Sequence, residues 1–215
     1  MRKSSVVAAL LAIAATPAMA QDHAVGVRLG MLGLGVEYSY RINEFITVRG
    51  GVNGASYSFD ETESGIDYEF DLDFDTLAVG VDIHPFRNRF RVSVGAMKND
   101  NGLSASSTAG QDFDIGDETY TANEVGRLSG RIGFDSAAPY AGVGWDWMRD
   151  RKVGLALDLG LLSQGSPKVS FSASGPIASN PDFADDLAAE EAEVQEELDD
   201  FDLYPYAMLG VVFRF

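Results

Sequence analysis

The chain has no cysteine, which removes disulfides and thiol chemistry. Beyond its first twenty residues it has no apolar run of eighteen, so a helical membrane protein is excluded. Bases are scarce. Sixteen Lys and Arg stand against 33 Asp and Glu, a formal net charge of -17, and nothing basic enough to hold nucleic acid is present. Histidine is scarcer still: only His23 and His84 occur. A β-barrel survives these absences, because its strands alternate apolar-out and polar-in and look only mildly hydrophobic. The 23 glycines and 11% aromatics fit a barrel better than a helical domain.

The start, "MRKSSVVAALLAIAATPAMA", has a basic n-region in Arg2 and Lys3, a short apolar stretch and a small-residue site before Gln21. This pattern predicts a secretory signal over residues 1–20, too short in its apolar part to span a bilayer. The mature chain, 21–215, then keeps 14 bases against 33 acids, a net of -19, and its length suits one domain.

Period-two alternation dominates the rest. In "YEFDLDFD", Tyr68, Phe70, Leu72 and Phe74 alternate with acids, which only a strand turns into one apolar and one polar face. Leu32, Leu34, Val36, Tyr38 and Tyr40 oppose Glu37, Ser39 and Arg41. Ile46, Val48 and Val52 oppose Thr47 and Arg49. Leu77, Val79, Val81 and Ile83 follow "YEFDLDFD" on shifted parity, which predicts a bulge near Thr76. Val153, Leu155, Leu157, Leu159 and Leu161 share one face, with Asp158 on the other. Short polar turns and longer polar loops separate the strands, as in outer-membrane barrels. Parity switches at Met31–Leu32 and near Gly165–Pro167 are each a bulged strand or a hairpin, giving eight strands or ten.

One segment is helical. Asn180 is a candidate N-cap, Pro181 the first helical residue, and Phe183, Leu187, Val194, Leu198 and Phe201 share a face. The rest of 181–203 is acidic, with no base. It is either a solvated helix lying on the barrel or an element for a partner or cations.

In the last strand Leu209, Val211, Phe213 and Phe215 form an apolar stripe ending on the terminal residue. With "LGLGVEYSYRINEFITVRGG", "PYAGVGWDW" and "LLSQGSPKV", this ending resembles the small OmpA/OmpW-like outer-membrane β-barrel proteins over essentially the whole mature chain. The resemblance implies an all-β fold, a transmembrane antiparallel up-and-down barrel, most often of eight strands. Here an acidic amphipathic helix precedes the last strand. It also implies residence in the cell outer membrane among lipid and lipopolysaccharide, and an assembly signal in Phe213 and Phe215 that the barrel assembly machinery reads. It implies no single activity.

Some outer-membrane barrels are lipid-modifying enzymes, which need a nucleophile and a His base in reach. His23, at the mature N-terminus, and His84, before Pro85 in a turn at the membrane edge, offer no such arrangement, so no catalytic residue is expected. Asp71, Asp73, Asp75 and Asp82 have calcium-loop spacing, but Thr76 stands where the loop needs glycine. No metal or other cofactor is assigned.

The informative charges face the lumen. If the first hairpin closes about Asn43, Glu37 faces Arg49. If Phe134 meets Pro139, Arg127 meets Asp146, and closure about Lys152 sets Asp146 beside Asp158. Arg127, or Arg131 or Arg214, then offsets the two acids, and Asp82 faces Arg91. Paired buried charges are tolerated and orphans are costly. Such a ladder either plugs the lumen or leaves a narrow solute path. Three functions follow: a non-enzymatic structural or surface-exposed barrel, a narrow channel for small solutes, or a secreted barrel that binds a ligand.

Overall fold

A computed structural model describes residues 22–63, 66–107, 112–116, 118–147, 151–198 and 200–215. The expected signal segment lies outside them. The elements, in chain order, begin with β1 (His23–Gly30), β2 (Gly33–Arg41), β3 (Ile46–Glu63), β4 (Ile66–Ile83) and β5 (Phe90–Asn99). An excursion follows: β6 (Gly102–Ser107), β7 (Phe113–Ile115), β8 (Glu118–Tyr120), α1 (Ala122–Val125) and β9 (Leu128–Gly133). Then come β10 (Ala137–Trp147), β11 (Val153–Ser163), β12 (Lys168–Ala173), a 3-10 turn (Pro176–Ser179), α2 (Pro181–Leu198) and β13 (Leu203–Arg214).

Eight strands close a ring in the order β4, β3, β2, β1, β13, β11, β10, β5, and β5 pairs back onto β4. All pairings are antiparallel, and the first and last strands zip together from Ala24↔Arg214 to Gly30↔Met208. Both doubtful parity switches are real strand breaks. Met31 and Leu32 form a tight turn in which Gly33 adopts φ 88, a conformation that favours glycine. The ring still has eight strands, because β12 lies outside it with β6 and β9.

These three strands extend a flanking sheet from the far part of β4. β4 forks: Thr76–Ile83 pairs with β5 in the barrel, and Tyr68–Asp73 pairs with β6. At the fork Asn101 Oδ1 accepts from the Asp75 amide at 2.9 Å, and the Asp100 amide donates to the Asp75 carbonyl. The expected bulge near Thr76 is absent. β4 faces β3 in one unbroken register from Ile46↔Ile83 to Glu63↔Ile66. Parity shifts because the environment reverses: one outer face carries Leu77, Val79 and Ile83 along the barrel and Asp71, Asp73 and Asp75 beyond it.

Among the described residues, three apolar clusters hold this together. Leu32, Met97, Tyr140, Leu162, Tyr206 and Met208 fill the barrel interior towards the flanking sheet. A Cβ on Gly160 would come within 2.6 Å of the Tyr206 ring, and one on Gly95 within 2.6 Å of Tyr140, so bare backbone makes room for both rings. Ala24, Ala156 and Val212 pack at the opposite end. Phe113, Ile115, Val125 and Phe183 dock β7, β8 and α2 onto the flanking sheet.

α2 starts as expected, with Asn180 Oδ1 accepting from the Asp182 amide at 2.9 Å. It buries Phe183, and Leu187, Val194 and Leu198 are half-buried. Phe201 does not join that face; it lies past the helix and is 61% exposed. The helix also closes a sheet edge. The free amides of Val169 and Phe171 on β12 donate to Gln195 Oε1 and Glu191 Oε1. An uncovered edge would invite another strand.

Candidate functional site: an ionic cluster across the lumen

Inward-facing residues alternate with outward ones on each barrel strand. That parity brings Arg28 from β1, Glu37 from β2, Arg49 from β3, Asp82 from β4, Arg91 from β5, Asp146 from β10 and Asp158 from β11 into one layer. Asp158 is the centre. Arg49 and Arg91 each reach its Oδ1 at 2.8 Å, and Arg28 bonds its Oδ2. Arg28 also holds Glu37 at 2.5 Å. Arg49 reaches Asp82 at 3.2 Å and Glu37 at 3.4 Å. Arg91 reaches Asp82 and Asp146 at 3.4 Å each, and its side chain is 1% exposed. Ser93 Oγ donates to Asp82 Oδ1 at 2.6 Å.

Three guanidinium groups thus meet four carboxylates away from bulk water, where each charge is tolerable only because several opposite charges and hydrogen bonds surround it. The layer separates two small cavities of about 40 Å³ each. Each has room for a few waters.

Of the seven charges the sequence assigned to the lumen, six are in this layer: Glu37, Arg49, Asp82, Arg91, Asp146 and Asp158. Their exact cross-strand partners differ from expectation. Glu37 sits opposite Gly51 and Arg49 opposite Ser39, Asp82 opposite Ser93, and Asp146 opposite Ala156. Each register is shifted by two residues, which preserves the face, so long side chains still meet diagonally. The cause is visible in the β2–β3 turn. Asn43 Oδ1 accepts from the amides of Phe45 and Ile46, which moves the hairpin centre past Asn43.

The seventh, Arg127, is elsewhere. β9 pairs with β6 and β12, not with β10, whose barrel neighbours are β5 and β11. Arg127 is exposed just before β9, and its backbone amide donates to Ser174 Oγ at 2.9 Å. Arg131 is also exposed, on the flanking sheet. The place given to Arg127 belongs to Arg91 and Arg28. Arg28 was legible: Ala24, Gly26 and Arg28 alternate with Val25, Val27 and Leu29, so it shares the inward parity.

His84 is 2% exposed, tucked inward at the end of β4 with Nε2 3.8 Å from Asp146 Oδ2. His23 Nδ1 lies 2.6 Å from the Tyr38 hydroxyl and its ring stacks on Phe215. Asp71, Asp73 and Asp75 lie on the opposite face of β4 from Asp82, so the calcium-loop spacing never converges on one point. Phe213 and Phe215 face outward, 49% and 46% exposed.

No protein-family model and no curated protein sequence matches the chain. Among solved structures it is similar to CarO2 of Acinetobacter baumannii, with a TM-score of 0.61 and 21% identity over 90% of this chain and 98% of that one. It is also similar to CarO of the same organism, with a TM-score of 0.58 and 20% identity over 89% of this chain and 97% of that one. The chain therefore has the closed eight-stranded fold of the small outer-membrane β-barrels.

Proposed function

We propose that the protein is a non-enzymatic barrel of the bacterial outer membrane whose lumen is held shut by the Asp158-centred cluster, and whose flanking sheet and acidic helix form a surface-exposed platform. The observation that carries this reading is the knot itself, in which three arginines converge on one carboxylate across the full width of the barrel. The apolar layer of Leu32, Met97, Tyr140 and Tyr206 adds a second stopper beside it.

Residence in a membrane is supported by the outer surface. Leu29, Leu34, Leu77, Val79, Leu155, Leu161, Leu209 and Val211 are all roughly half exposed. A soluble protein exposing so continuous an apolar belt would aggregate. Aromatic residues gather where the short turns lie, among them Tyr38, Tyr40, Phe86, Trp147 and Phe215, as in the interfacial girdles of such barrels. The reversal on β4 at Asp75–Leu77 then marks the exit from lipid, with the short turns periplasmic and the flanking sheet outside, facing lipopolysaccharide. Phe213 and Phe215 serve the assembly machinery.

The test is conductance in planar bilayers, together with membrane fractionation. A plugged barrel gives small or no conductance and fractionates with the outer membrane. A steady, defined pore favours the channel reading, and recovery from the soluble periplasmic fraction favours the secreted ligand-binding barrel.

A further inference from the structure

In a chain of net charge -17, one region runs against the trend. An opening of about 1010 Å³ at the short-turn end is lined, among the described residues, by Arg41, Arg87, Arg89 and Arg151, with Asp22 and Glu44 as the acids. Phe90, Trp145 and Trp147 line it too. The pieces are fixed. Trp145 lies opposite Phe90 in the β5–β10 ladder, their rings 5.5 Å apart, and the Asp146 amide donates to the Arg89 carbonyl at 2.8 Å. Arg87 has φ 51, a left-handed conformation that side chains other than glycine adopt at a cost. It pairs with Glu44 at 3.0 Å, and its guanidinium stacks over Phe45 at 4.5 Å. Arg89 and Arg151 make no side-chain ion pair among the described residues.

We infer that this rim is a binding site for the phosphate headgroup of an anionic phospholipid, seated between Arg89 and Arg151 against Trp145 and Trp147. Guanidinium groups suit phosphate because their forked donors match its oxygens. Indole rings prefer the depth at which a headgroup meets its acyl chains. Arg87 engages Glu44, one of the two acids at this rim among the described residues. The acidic outer platform could not attract such a lipid, so the site distinguishes the two ends of the barrel. This inference rests on the barrel residing in a bilayer.

Both tryptophans of the chain line this opening, so intrinsic fluorescence reports on it. The full chain is reconstituted into phosphatidylcholine vesicles containing a minor share of either brominated phosphatidylglycerol or brominated phosphatidylcholine. The wild type should be quenched preferentially by the phosphatidylglycerol, by about fivefold in relative association, which corresponds to about 1 kcal/mol for an interfacial arginine. Arg89→Ala with Arg151→Ala should bring the ratio to about one while the barrel keeps its folded gel mobility. Equal quenching of the wild type by both lipids, or a preference that survives in the double variant, overturns the headgroup site and leaves the barrel reading intact. No quenching by either lipid overturns both. In detergent without phospholipid, inorganic phosphate should leave the emission unchanged; a saturable change would assign the site to a free phosphate and overturn the lipid.

Discussion

Arg91 and Arg127 carry the same charge in the same chain, and their surroundings predict opposite outcomes. Arg91 touches Asp82, Asp146 and Asp158 from a side chain that is 1% exposed. Removing it leaves two arginines of the layer facing four carboxylates. Breaking a buried pair this way typically costs about 3–5 kcal/mol, less where waters reach the lumen. Arg91→Leu should therefore lower the urea midpoint of the refolded barrel strongly. Arg91→Leu with Asp146→Leu should cost less than Arg91→Leu alone, because the double change restores the original charge difference of the layer. Arg127 is exposed, and Arg127→Ala should stay within about 0.5 kcal/mol of the wild type. A midpoint for Arg91→Leu equal to that of Arg127→Ala would refute the cluster as a stabilising layer. Inwardness was legible for the six charges on barrel strands, because period two assigns the face and a two-residue register shift leaves it unchanged. The partner of Arg127 was not legible. It depended on which strands are neighbours: β9 never joins the barrel, yet the short turn that leads from it to β10 reads in sequence like that of a barrel hairpin.

At the scale of elements, α2 was legible from its cap and its apolar spacing, but its task was not. Its contacts lie with β12 and the 3-10 turn just before it in the chain and with β7, which is remote in sequence, and nothing in the helix itself names that strand. Tyr120 on β8 clamps the helix: its hydroxyl donates to Asp186, and its ring meets Phe183 edge-on at 4.9 Å. The hydrogen bond to Asp186, with burial and nearby acids, pushes the Tyr120 hydroxyl up from 10.0 to about 12. A raised folded-state value means the clamp is fully present below about pH 10. It is lost as pH rises through about 12, when a phenolate would face a carboxylate. Amide exchange in α2 should accordingly quicken between pH 10 and 12, after correction for intrinsic rates. Tyr120→Phe should quicken it already at neutral pH and erase the step. A helix whose exchange ignores both the pH and the substitution would be held by Phe183 and the β12 edge alone. The missing bulge on β4 belongs to this scale as well. The sequence shows an inversion of parity, and a local bulge and a change of surroundings leave the same trace. The unbroken β3–β4 register assigns it to the surroundings.

Across the whole molecule, charge and apolar surface are sorted by height. Arginines rim the short turns, an apolar belt surrounds the barrel, and acids gather on the far parts of β3 and β4 and on α2. On the proposed outer-membrane reading, this sorting favours one orientation in a bilayer, and the chain would enter by strands that are individually too polar to partition on their own. That separates what the finished barrel needs from what its insertion needs, and Phe215 tests the separation. In the finished barrel Phe215 is 46% exposed at the rim, its amide donates to the His23 carbonyl at 2.9 Å, and its ring stacks on His23. Neither contact is deep in the structure, and β13 retains seven paired residues against β1 and eleven against β11 without it. Phe215→Ala should therefore change the unfolding midpoint of already folded protein by less than about 1 kcal/mol, the scale of a partly exposed aromatic contact. If the terminal aromatic is what the assembly machinery binds, the same substitution should reduce the amount of heat-modifiable barrel in the outer membrane several-fold, with unfolded chain accumulating in the periplasm. Comparing the two measurements decides the point. A fall in both would make Phe215 an ordinary stabilising contact, and an unchanged yield would remove its role in assembly.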